Sequence, residues 1–458
     1  MAIATINPTN GVVEQEFEAI DAAEVERRLA LAQSTFEQLK STSFAQRGEW
    51  LVKAAEILEA EVEDTALMLV REMGKTIVQA RGEVLKSAKG LRFYAEHVQT
   101  FLADEWLEDP SAVGAKQAGA RYQPLGAVLA VMPWNYPIWQ ALRFAAPALA
   151  AGNVGLLKHA SNVPQTALYL DTLFSRAGFP AGAFQTLLIG SREVKAVIED
   201  WRVKAVTLTG SEPAGRSVAA TAGEQIKKTV LELGGSDPFL VLPSANLEAA
   251  AEAAVRARLL NNGQSCIAGK RFIVHTDVYD KFAELFATGM ANAVMGDPMD
   301  PKTVIGPLAT ESGRDEVADL VKDAVAKGAK VLTGGVVPDQ PGWWYPPTVL
   351  ADLPEDALLV MEEAFGPVAS LYRAKDTNDA IRIANQTRFG LSSAVWTNDS
   401  AEEQLCIERL DAGAVFVNGI TASYPELPFG GVKASGYGRE LAEVGMREFT
   451  NLKTVWKA

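Results

Sequence analysis

Two side chains in this sequence have the types and the settings that nucleophilic catalysis requires. Cys266 is one of only two cysteines in 458 residues, and it stands among small and amide residues in the segment 261–271. A thiol reacts as its thiolate, and an ordinary thiol pKa of about 8.5 leaves too little of that form without help. The sequence has three histidines, and none stands in a catalytic setting. Glu232, between two leucines and ahead of two glycines, is the candidate base, because a buried carboxylate is costly without a role. Taken singly, Cys266 also fits a small buried hydrophobe, and Glu232 also fits a helix cap.

The overall composition limits the partners of such a site. The chain is 48% hydrophobic and 22% charged, which is typical of a soluble globular protein of two or three domains. A formal net charge of −14 argues against nucleic acid or an anionic membrane as a partner. Neither a secretion signal nor an apolar run long enough to cross a membrane is evident, and two cysteines fit a reducing cytoplasm. We therefore expect a cytoplasmic protein, and the absence of ligand clusters predicts no metal.

The elements that must position these side chains follow two patterns. Helical periodicity dominates residues 14–100, most clearly in 45–62 and 65–71. From Tyr122 onward, short apolar runs alternate with helical stretches, and the alternation starts again near Phe239. The predicted strands are 127–132, 154–157, 186–189, 205–208, 229–231, 239–242, 271–274, 330–332, 393–396 and 415–418. This order predicts an α/β fold with two parallel sheets, each covered by helices on both faces, and a cleft between them.

The two candidate residues also belong to recognisable motifs. Leu-Glu-Leu-Gly-Gly at Glu232, followed at Cys266 by Gly-Gln-Ser-Cys, resembles the paired signature of the aldehyde dehydrogenase superfamily, and the resemblance covers essentially the whole chain. It implies two doubly wound domains, a Rossmann-like cofactor domain of residues 1–105 and 122–233 and a catalytic domain of residues 234–448. It also implies a small β extension of residues 106–121 and 449–458, used to form a homodimer or homotetramer.

The resemblance assigns a mechanism to these residues. Cys266 is expected to add to an aldehyde, and Glu232 to activate the water that hydrolyses the resulting thioester. The side-chain amide of Asn135 is expected to stabilise the oxyanion together with the Cys266 N–H, and one such donor is worth roughly 3–4 kcal/mol. From the residues alone, Asn135 also fits a turn before the helix that starts at Pro137. How the thiol loses its proton is left open.

The dinucleotide site lacks a Gly-x-Gly-x-x-Gly fingerprint. In its place, Gly210 and Ser211 form a strand-to-helix turn whose free amides suit a pyrophosphate, although an ordinary turn with a serine cap is the alternative. The resemblance implies that Glu363 holds the nicotinamide ribose, with Phe365 and Trp134 in the same cofactor site. The acids before Phe365 otherwise fit a solvated helix-to-loop transition.

The choice between NADP and NAD is predicted from the end of one strand. In the family, Lys158 reaches the adenine ribose, and many NAD-dependent members have glutamate where this chain has Ser161. A carboxylate about 4 Å from a 2′-phosphate would cost roughly 4 kcal/mol at an effective dielectric near 20. Ser161 removes that repulsion, so we expect NADP to be preferred, with NAD possible. His159 departs from the commoner proline.

The substrate is predicted from three polar residues. Gln140 and Arg143 share one face of the otherwise apolar helix 137–150. Ser423 lies in the loop before Leu-Pro-Phe-Gly-Gly, and in the family that loop forms the opposite side of the substrate tunnel. Arg143 fits either a structural ion pair or a substrate carboxylate. With Ser423 it suggests a short aldehyde with a distal carboxylate, for which succinic semialdehyde is the closest fit, and Arg258 is a second candidate for the anchor.

Other functions within the family remain open. Residues 263–268 are similar to bacterial members that oxidise succinic semialdehyde, but broader specificity or another acidic semialdehyde, such as glutarate semialdehyde, is the enzymatic alternative. A catalytically silent structural member usually lacks the cysteine or the glutamate, and a phosphorylating or CoA-acylating member is expected to lack the glutamate. Both residues are present here. Cys406, on a predicted helix, is expected to be structural.

Overall fold

The structure is a computed structural model and describes residues 3–458. The strands are β1 (Ile3–Asn7), β2 (Val12–Phe17), β3 (Glu105–Trp106), β4 (Gln117–Pro124), β5 (Ala127–Met132), β6 (Val154–His159), β7 (Phe184–Thr186), β8 (Val203–Thr209), β9 (Lys228–Glu232), β10 (Asp237–Val241), β11 (Gly269–His275), β12 (Lys330–Thr333), β13 (Thr348–Ala351), β14 (Val368–Ala374), β15 (Ser393–Trp396), β16 (Val415–Val417), β17 (Gly436–Tyr437) and β18 (Thr450–Lys457). The helices are α1 (Ala22–Leu39), α2 (Phe44–Ala60), α3 (Val62–Met73), α4 (Ile77–Phe101), α5 (Pro137–Ala151), α6 (Pro164–Arg176), α7 (Val194–Glu199), α8 (Glu212–Glu224), α9 (Leu247–Leu259), α10 (Tyr279–Ala291), α11 (Glu311–Ala326), α12 (Leu358–Met361), α13 (Thr377–Asn385), α14 (Ser400–Arg409) and α15 (Ala442–Arg447).

Two large sheets organise the chain. One has six strands in the order β17-β9-β8-β5-β6-β7, and the other has seven in the order β12-β13-β14-β11-β10-β15-β16. All pairings are parallel except those of the edge strands β17 and β12, which pair antiparallel with β9 and β13. The predicted α/β fold class with two parallel-dominated sheets is confirmed. β17 belongs to the first sheet although it comes from the C-terminal part of the chain.

Burial explains why these runs form strands covered on both faces. In the seven-stranded sheet, Phe239 and Val241 pack in one hydrophobic cluster, and Leu240 and Leu242 pack in another. Since successive residues of a strand point to opposite faces, the two clusters lie on opposite sides of this sheet. In the six-stranded sheet every residue of β6 is buried, and all 15 residues of α5, packed beside it, are buried as well.

The sequence missed several elements. β13 and β14 lie close to prolines, which interrupted the apolar runs. The hairpin of β1 and β2 occupies residues 3–17, where helices were predicted from residue 14, because β2 is almost wholly exposed and carries little periodic signal. The predicted helices 45–62 and 65–71 correspond to α2 and α3, and the break between them lies at Glu61, whose backbone is not helical (φ −104°, ψ 21°). β7 begins two residues before the predicted run.

A third, three-stranded sheet has the order β18-β4-β3, and β18 forms its edge. β18 pairs with β4 along its whole length, so the last strand is held by main-chain hydrogen bonds to the region before β5. The residue boundaries of the predicted domains and of the extension stay a prediction. Within residues 3–458, no helix has the length and apolar character needed to cross a bilayer.

Candidate active site

Cys266 lies in the loop between α9 and β11, and the backbone there requires unusual residues. Asn261 and Asn262 have positive φ angles of 56° and 57°, and Gly263 follows at 76°. Asparagine tolerates this left-handed region better than most residues. A Cβ on Gly263 would lie 2.4 Å from the carbonyl carbon of Gly366, so only glycine fits. This tight turn is the reason for the amide and glycine residues that precede the cysteine.

Buried hydrogen bonds hold this loop in place. Asn262 Nδ2 donates to the carbonyls of Gly74 and Pro307 at 2.8 and 2.9 Å. Lys270 Nζ donates to the carbonyl of Cys266 at 2.8 Å and lies 3.0 Å from Glu363 Oε1. These hydrogen bonds hold the main chain of the loop, and they therefore fix the position of the Cys266 sulfur.

Cys266 stands between two cavities. The first has a volume of about 390 Å³ and the second about 310 Å³, and Cys266 and Gln140 line both. The first cavity is lined by the predicted residues Trp134, Asn135, Gly210, Ser211, Glu363 and Phe365. The second is lined by the predicted residues Arg143 and Ser423, together with Lys86, Trp139, Thr421 and Phe429. The thiol can therefore be reached from two sides by two different molecules.

The environment of the thiol favours its protonated form. Burial raises the pKa of Cys266 to about 12, and the positive charge of Lys270 opposes that rise. Asn135 is buried beside it, and its Nδ2 donates to the carbonyl of Gln264 at 3.1 Å. One N–H of that amide remains for another acceptor. Asn135 is thus a fixed donor in the cavity that contains the sulfur, as an oxyanion site requires.

Glu232 is the last residue of β9, and its carboxylate lies behind the cavities rather than in them. It is 2% exposed, it lines neither cavity, and neither oxygen has a hydrogen-bond partner among residues 3–458. Burial raises its pKa well above the ordinary value, and the negative charge of Glu440 adds to the rise. The next two residues, Leu233 and Gly234, do line the first cavity. The structure therefore places Cys266 and Asn135 in the same cavity. The Glu232 carboxylate is outside that cavity, although the next residue in the sequence, Leu233, lines it.

The first cavity fits a dinucleotide. Ser211 is the N-cap of α8, and its side chain makes no cap hydrogen bond. The main-chain N–H groups of Glu212 and Ala214 therefore have no side-chain cap and suit an anion, whereas Pro213 has no N–H. Trp134 and Phe365 make an edge contact with ring centroids 5.6 Å apart, so that two nearly perpendicular apolar rings line the cavity. A Cβ on Gly234 would lie 2.5 Å from Glu363 Oε2, so the glycine leaves room for that carboxylate.

Lys158 and Ser161 lie at the end of β6 and do not line the first cavity. Lys158 is 8% exposed, and burial lowers its pKa. No carboxylate of residues 3–458 is within ion-pair distance of its ammonium group. Ser161 is partly exposed, and its carbonyl accepts from the N–H of Ala4 at 3.1 Å. His159 is structural, with Nε2 2.9 Å from the carbonyl of Pro137. Whether Lys158 and Ser161 contact a cofactor stays a prediction.

Arg143 has a different environment from the one expected for a carboxylate anchor. It lines the second cavity, but its guanidinium forms a buried ion pair with Glu440 and donates to Thr209 Oγ1 at 3.2 Å. It also packs 4.6 Å from the ring centroid of Phe429. Of the two alternatives for Arg143, the structure contains the ion pair. Arg258, the second candidate, is fully buried, donates to the carbonyl of Gly263 and lines neither cavity.

The sequence analysis missed Lys86. This residue of α4 lines the second cavity, and its Nζ lies 2.9 Å from Ser423 Oγ. Trp139 Nε1 donates to the same oxygen at 3.0 Å, and the ammonium lies 4.4 Å from the Trp139 ring centroid. Burial lowers the pKa of Lys86 to about 7. No local signal distinguishes Lys86 from Lys89, the other lysine of α4, because its partner Ser423 is far away in the sequence.

Comparisons with known proteins agree with this site. The model of the aldehyde dehydrogenase family matches residues 1–455, and the chain belongs to that family of oxidoreductases, which act on small aldehydes. A protein of Mycobacterium avium named succinate-semialdehyde dehydrogenase [NADP(+)] is 60% identical over 457 residues, covering 100% of this chain and 97% of its own length. Succinate-semialdehyde dehydrogenase [NADP(+)] 1 of Mycobacterium tuberculosis is 58% identical over 458 residues, 100% of both chains. The crystal structure of succinic semialdehyde dehydrogenase from Streptococcus pyogenes with NADP+ is 36% identical, with a TM-score of 0.96 over 99% of both chains.

Proposed function

We propose that this protein oxidises succinic semialdehyde to succinate with NADP as the oxidant. The observation that carries the proposal is the position of Cys266 at the junction of two cavities. One is lined by aromatic rings and a helix N-terminus that suit a dinucleotide, and the other is lined by polar groups that suit an acid, among them Lys86 and Ser423. The names of the mycobacterial and streptococcal relatives support the same substrate and cofactor.

In the first step the Cys266 thiolate adds to the aldehyde carbonyl, and the carbonyl oxygen becomes an oxyanion. The free N–H of Asn135 and the main-chain N–H of Cys266 stabilise that oxygen, with roughly 3–4 kcal/mol from each donor. NADP, when bound, supplies the acceptor for the hydride, so that the acyl group is left as a thioester on the sulfur. Lys270 keeps the loop, and therefore the sulfur, in position through its bond to the Cys266 carbonyl.

In the second step Glu232 takes a proton from the water that attacks the thioester. Burial raises the pKa of Glu232, which makes its carboxylate a stronger base than an exposed glutamate. Because Glu232 directly precedes two residues that line the first cavity, a change of side-chain rotamer is the movement that brings its carboxylate to the thioester. The Cys266 sulfur then leaves as thiolate, and succinate is released.

The preference for NADP rests on Lys158 and Ser161. We propose that Lys158 contacts the adenine ribose and that Ser161 donates to a 2′-phosphate, while Gly210 and Ser211 bind the pyrophosphate. Glu363, with Trp134 and Phe365, completes the nicotinamide end. A serine in place of a glutamate removes the charge that would repel the phosphate, so NAD is the weaker cofactor.

We also propose a homodimer or homotetramer in the cytoplasm. β18 is the edge of the three-stranded sheet, and its Leu452 and Trp456 are 55% and 52% exposed. Exposed apolar side chains on an edge strand are typical of a surface that another chain covers. Sedimentation velocity measures the assembly, and a monomer at micromolar concentration would contradict it.

The proposed function is tested by a substrate and cofactor survey with purified protein. Formation of NADPH from NADP, or of NADH from NAD, is followed with succinic semialdehyde, glutarate semialdehyde and butanal. We expect the highest kcat/KM for succinic semialdehyde with NADP. Equal kcat/KM for succinic semialdehyde and butanal would reject the acidic substrate, and a higher value for glutarate semialdehyde would replace it with a longer acid.

A further inference from the structure

Lys86 is a cation inside the second cavity with no carboxylate partner. It lies on α4 and lines the same cavity as Cys266. No carboxylate of residues 3–458 lies within 4.0 Å of its ammonium group, whereas the neighbouring Lys89 of the same helix is paired with Glu426 at 2.8 Å on the surface. A buried charge without a partner is unfavourable, so an unpaired lysine in a cavity indicates a missing anion.

The nearest acid, Glu83, is already engaged. It lies one turn before Lys86 on α4 and forms a buried ion pair with Lys75. Its Oε1 also accepts from the main-chain N–H groups of Ile138 and Trp139 at 2.9 and 3.0 Å, at the start of α5. The Glu83 carboxylate is therefore already paired with Lys75 and bonded to two main-chain N–H groups, so it does not serve as the ion-pair partner of Lys86.

The other cation of the cavity is neutralised. Arg143 forms its ion pair with Glu440, which is 6% exposed, so that the two charges cancel within the protein. Lys86 is therefore the cation of this cavity whose charge is available to a ligand.

Ser423 adds a donor at the same place. Its Oγ accepts from the ammonium of Lys86 and from the indole N–H of Trp139. An ammonium group and an indole N–H are donors only, so the Ser423 oxygen must be the acceptor in both bonds. The hydroxyl proton of Ser423 therefore remains to be donated. With the two other N–H bonds of the Lys86 ammonium, it forms a compact set of donors that matches a carboxylate.

We propose that Lys86, together with Ser423, binds the distal carboxylate of the substrate, and that Arg143 does not. The inference deepens the proposed function and rests on it, because it assigns the residue that distinguishes an acidic aldehyde from a neutral one. Lys86 is a binding residue and takes no part in the chemistry at Cys266. Its effect therefore falls on KM for acidic aldehydes.

The proposal has a consequence for pH. The groups that face Lys86 are Glu83 and Lys75, Arg143 from α5, and the Cys266 thiol. Burial lowers the pKa of Lys86 to about 7, and the charge of Arg143 lowers it further. A bound carboxylate favours the ammonium and raises the pKa, so binding weakens as pH rises above about 7 and free Lys86 loses its proton. KM for an acidic aldehyde should then increase by up to about tenfold per pH unit.

The experiment compares four proteins with two substrates of equal chain length. Lys86→Met removes the charge and keeps the apolar stem, Lys86→Arg keeps the charge, and Lys89→Met is the matched control on the same helix. Succinic semialdehyde and butanal differ only in the carboxylate. We expect Lys86→Met to raise KM for succinic semialdehyde by about 10- to 100-fold, with kcat nearly unchanged and butanal affected less than about threefold. Lys86→Arg should recover most of the loss, and Lys89→Met should match the parent.

The pH profile is a second readout. KM of the parent for succinic semialdehyde should rise between about pH 6.5 and 8.5, whereas KM for butanal and both values for Lys86→Met should not follow that rise. Equal losses for both substrates in Lys86→Met, or an unchanged KM for succinic semialdehyde, would overturn the role of Lys86. Turnover of butanal by Lys86→Met shows that the variant is folded. A change in KM for succinic semialdehyde can therefore be assigned to the lost charge.

Failure of the inference and failure of the proposed function give different results. If the parent protein itself does not prefer succinic semialdehyde to butanal, the proposed function is wrong. If the parent has that preference and Lys86→Met keeps it, only the assignment of Lys86 is wrong.

Discussion

Burial pushes three ionisable side chains at the site toward their neutral forms. It raises the pKa of Cys266 to about 12, lowers that of Lys86 to about 7 and raises that of Glu232. Removing a charge from water is unfavourable for acids and bases alike, so the direction of each shift follows from the charge of its ionised form. A ligand that brings a charge of opposite sign therefore stabilises the ionised form of such a side chain.

At the residue scale, Ser161 is expected to decide the cofactor. Ser161→Glu should raise KM for NADP by at least about tenfold and leave KM for NAD within about threefold, because a carboxylate close to a 2′-phosphate is repelled. Steady-state kinetics with both cofactors measure the effect. Ser161→Gln is the control, since it has the size of glutamate without the charge. An NADP/NAD ratio that is unchanged in Ser161→Glu would remove Ser161 from the cofactor site.

At the element scale, α5 is a wholly buried helix that contains one strong charge. Its 15 residues have no exposed face, and the arginine within it is tolerated because Glu440 comes from the distant segment before α15. Removing one partner of a buried pair leaves the other charge unpaired, which is more damaging than removing both. The ion pair of Arg143 and Glu440 therefore links α5 to the C-terminal segment before α15.

Arg143→Met should destabilise the protein by about 3–5 kcal/mol. Thermal and denaturant unfolding, compared with the parent, measure the loss. The double variant R143M/E440Q should recover part of it, since no unpaired charge remains. Any loss of activity should affect succinic semialdehyde and butanal by the same factor. A rise in KM confined to succinic semialdehyde would restore Arg143 as the carboxylate anchor.

At the scale of the whole molecule, the proposed catalytic residues come from both large sheets. Cys266 directly precedes β11 of the seven-stranded sheet, whereas Glu232 ends β9 and Asn135 follows β5 in the six-stranded sheet. The C-terminal β17 pairs with β9 at Glu232 itself, so the end of the chain supports the strand that carries the proposed base. The proposed nucleophile and the proposed base thus come from different sheets, and only the folded protein brings their strands to the same cleft.

Glu232→Gln is expected to separate the two steps of the reaction. Acylation of Cys266 and hydride transfer should proceed, while hydrolysis of the thioester slows by about 10²- to 10⁴-fold. Rapid-mixing experiments should then show a burst of about one NADPH per active site, followed by slow turnover. Cys266→Ala is the control and should give no burst. If Glu232→Gln turns over at the rate of the parent, another group activates the water.

The extent of sequence-based prediction differs between the fold and the site. The strands at 127–132 and 393–396 were predicted with the bounds of β5 and β15, because continuous apolar runs of that length are buried whatever surrounds them. The signature around Glu232 and Cys266 identified the family. The hairpin of β1 and β2 was missed because its second strand is held by main-chain pairing and buries little.

The sequence by itself determined the alternation of strands and helices and the family, and it indicated the candidate nucleophile, because each is encoded in contiguous residues through periodicity or a short motif. Only the tertiary structure decided which cation is available to a substrate. Arg143 is neutralised by Glu440, and Lys86 meets Ser423 from 337 residues away along the chain. Electrostatic pairing depends on distance in space, so the free charge of a side chain follows from neighbours that the fold brings together.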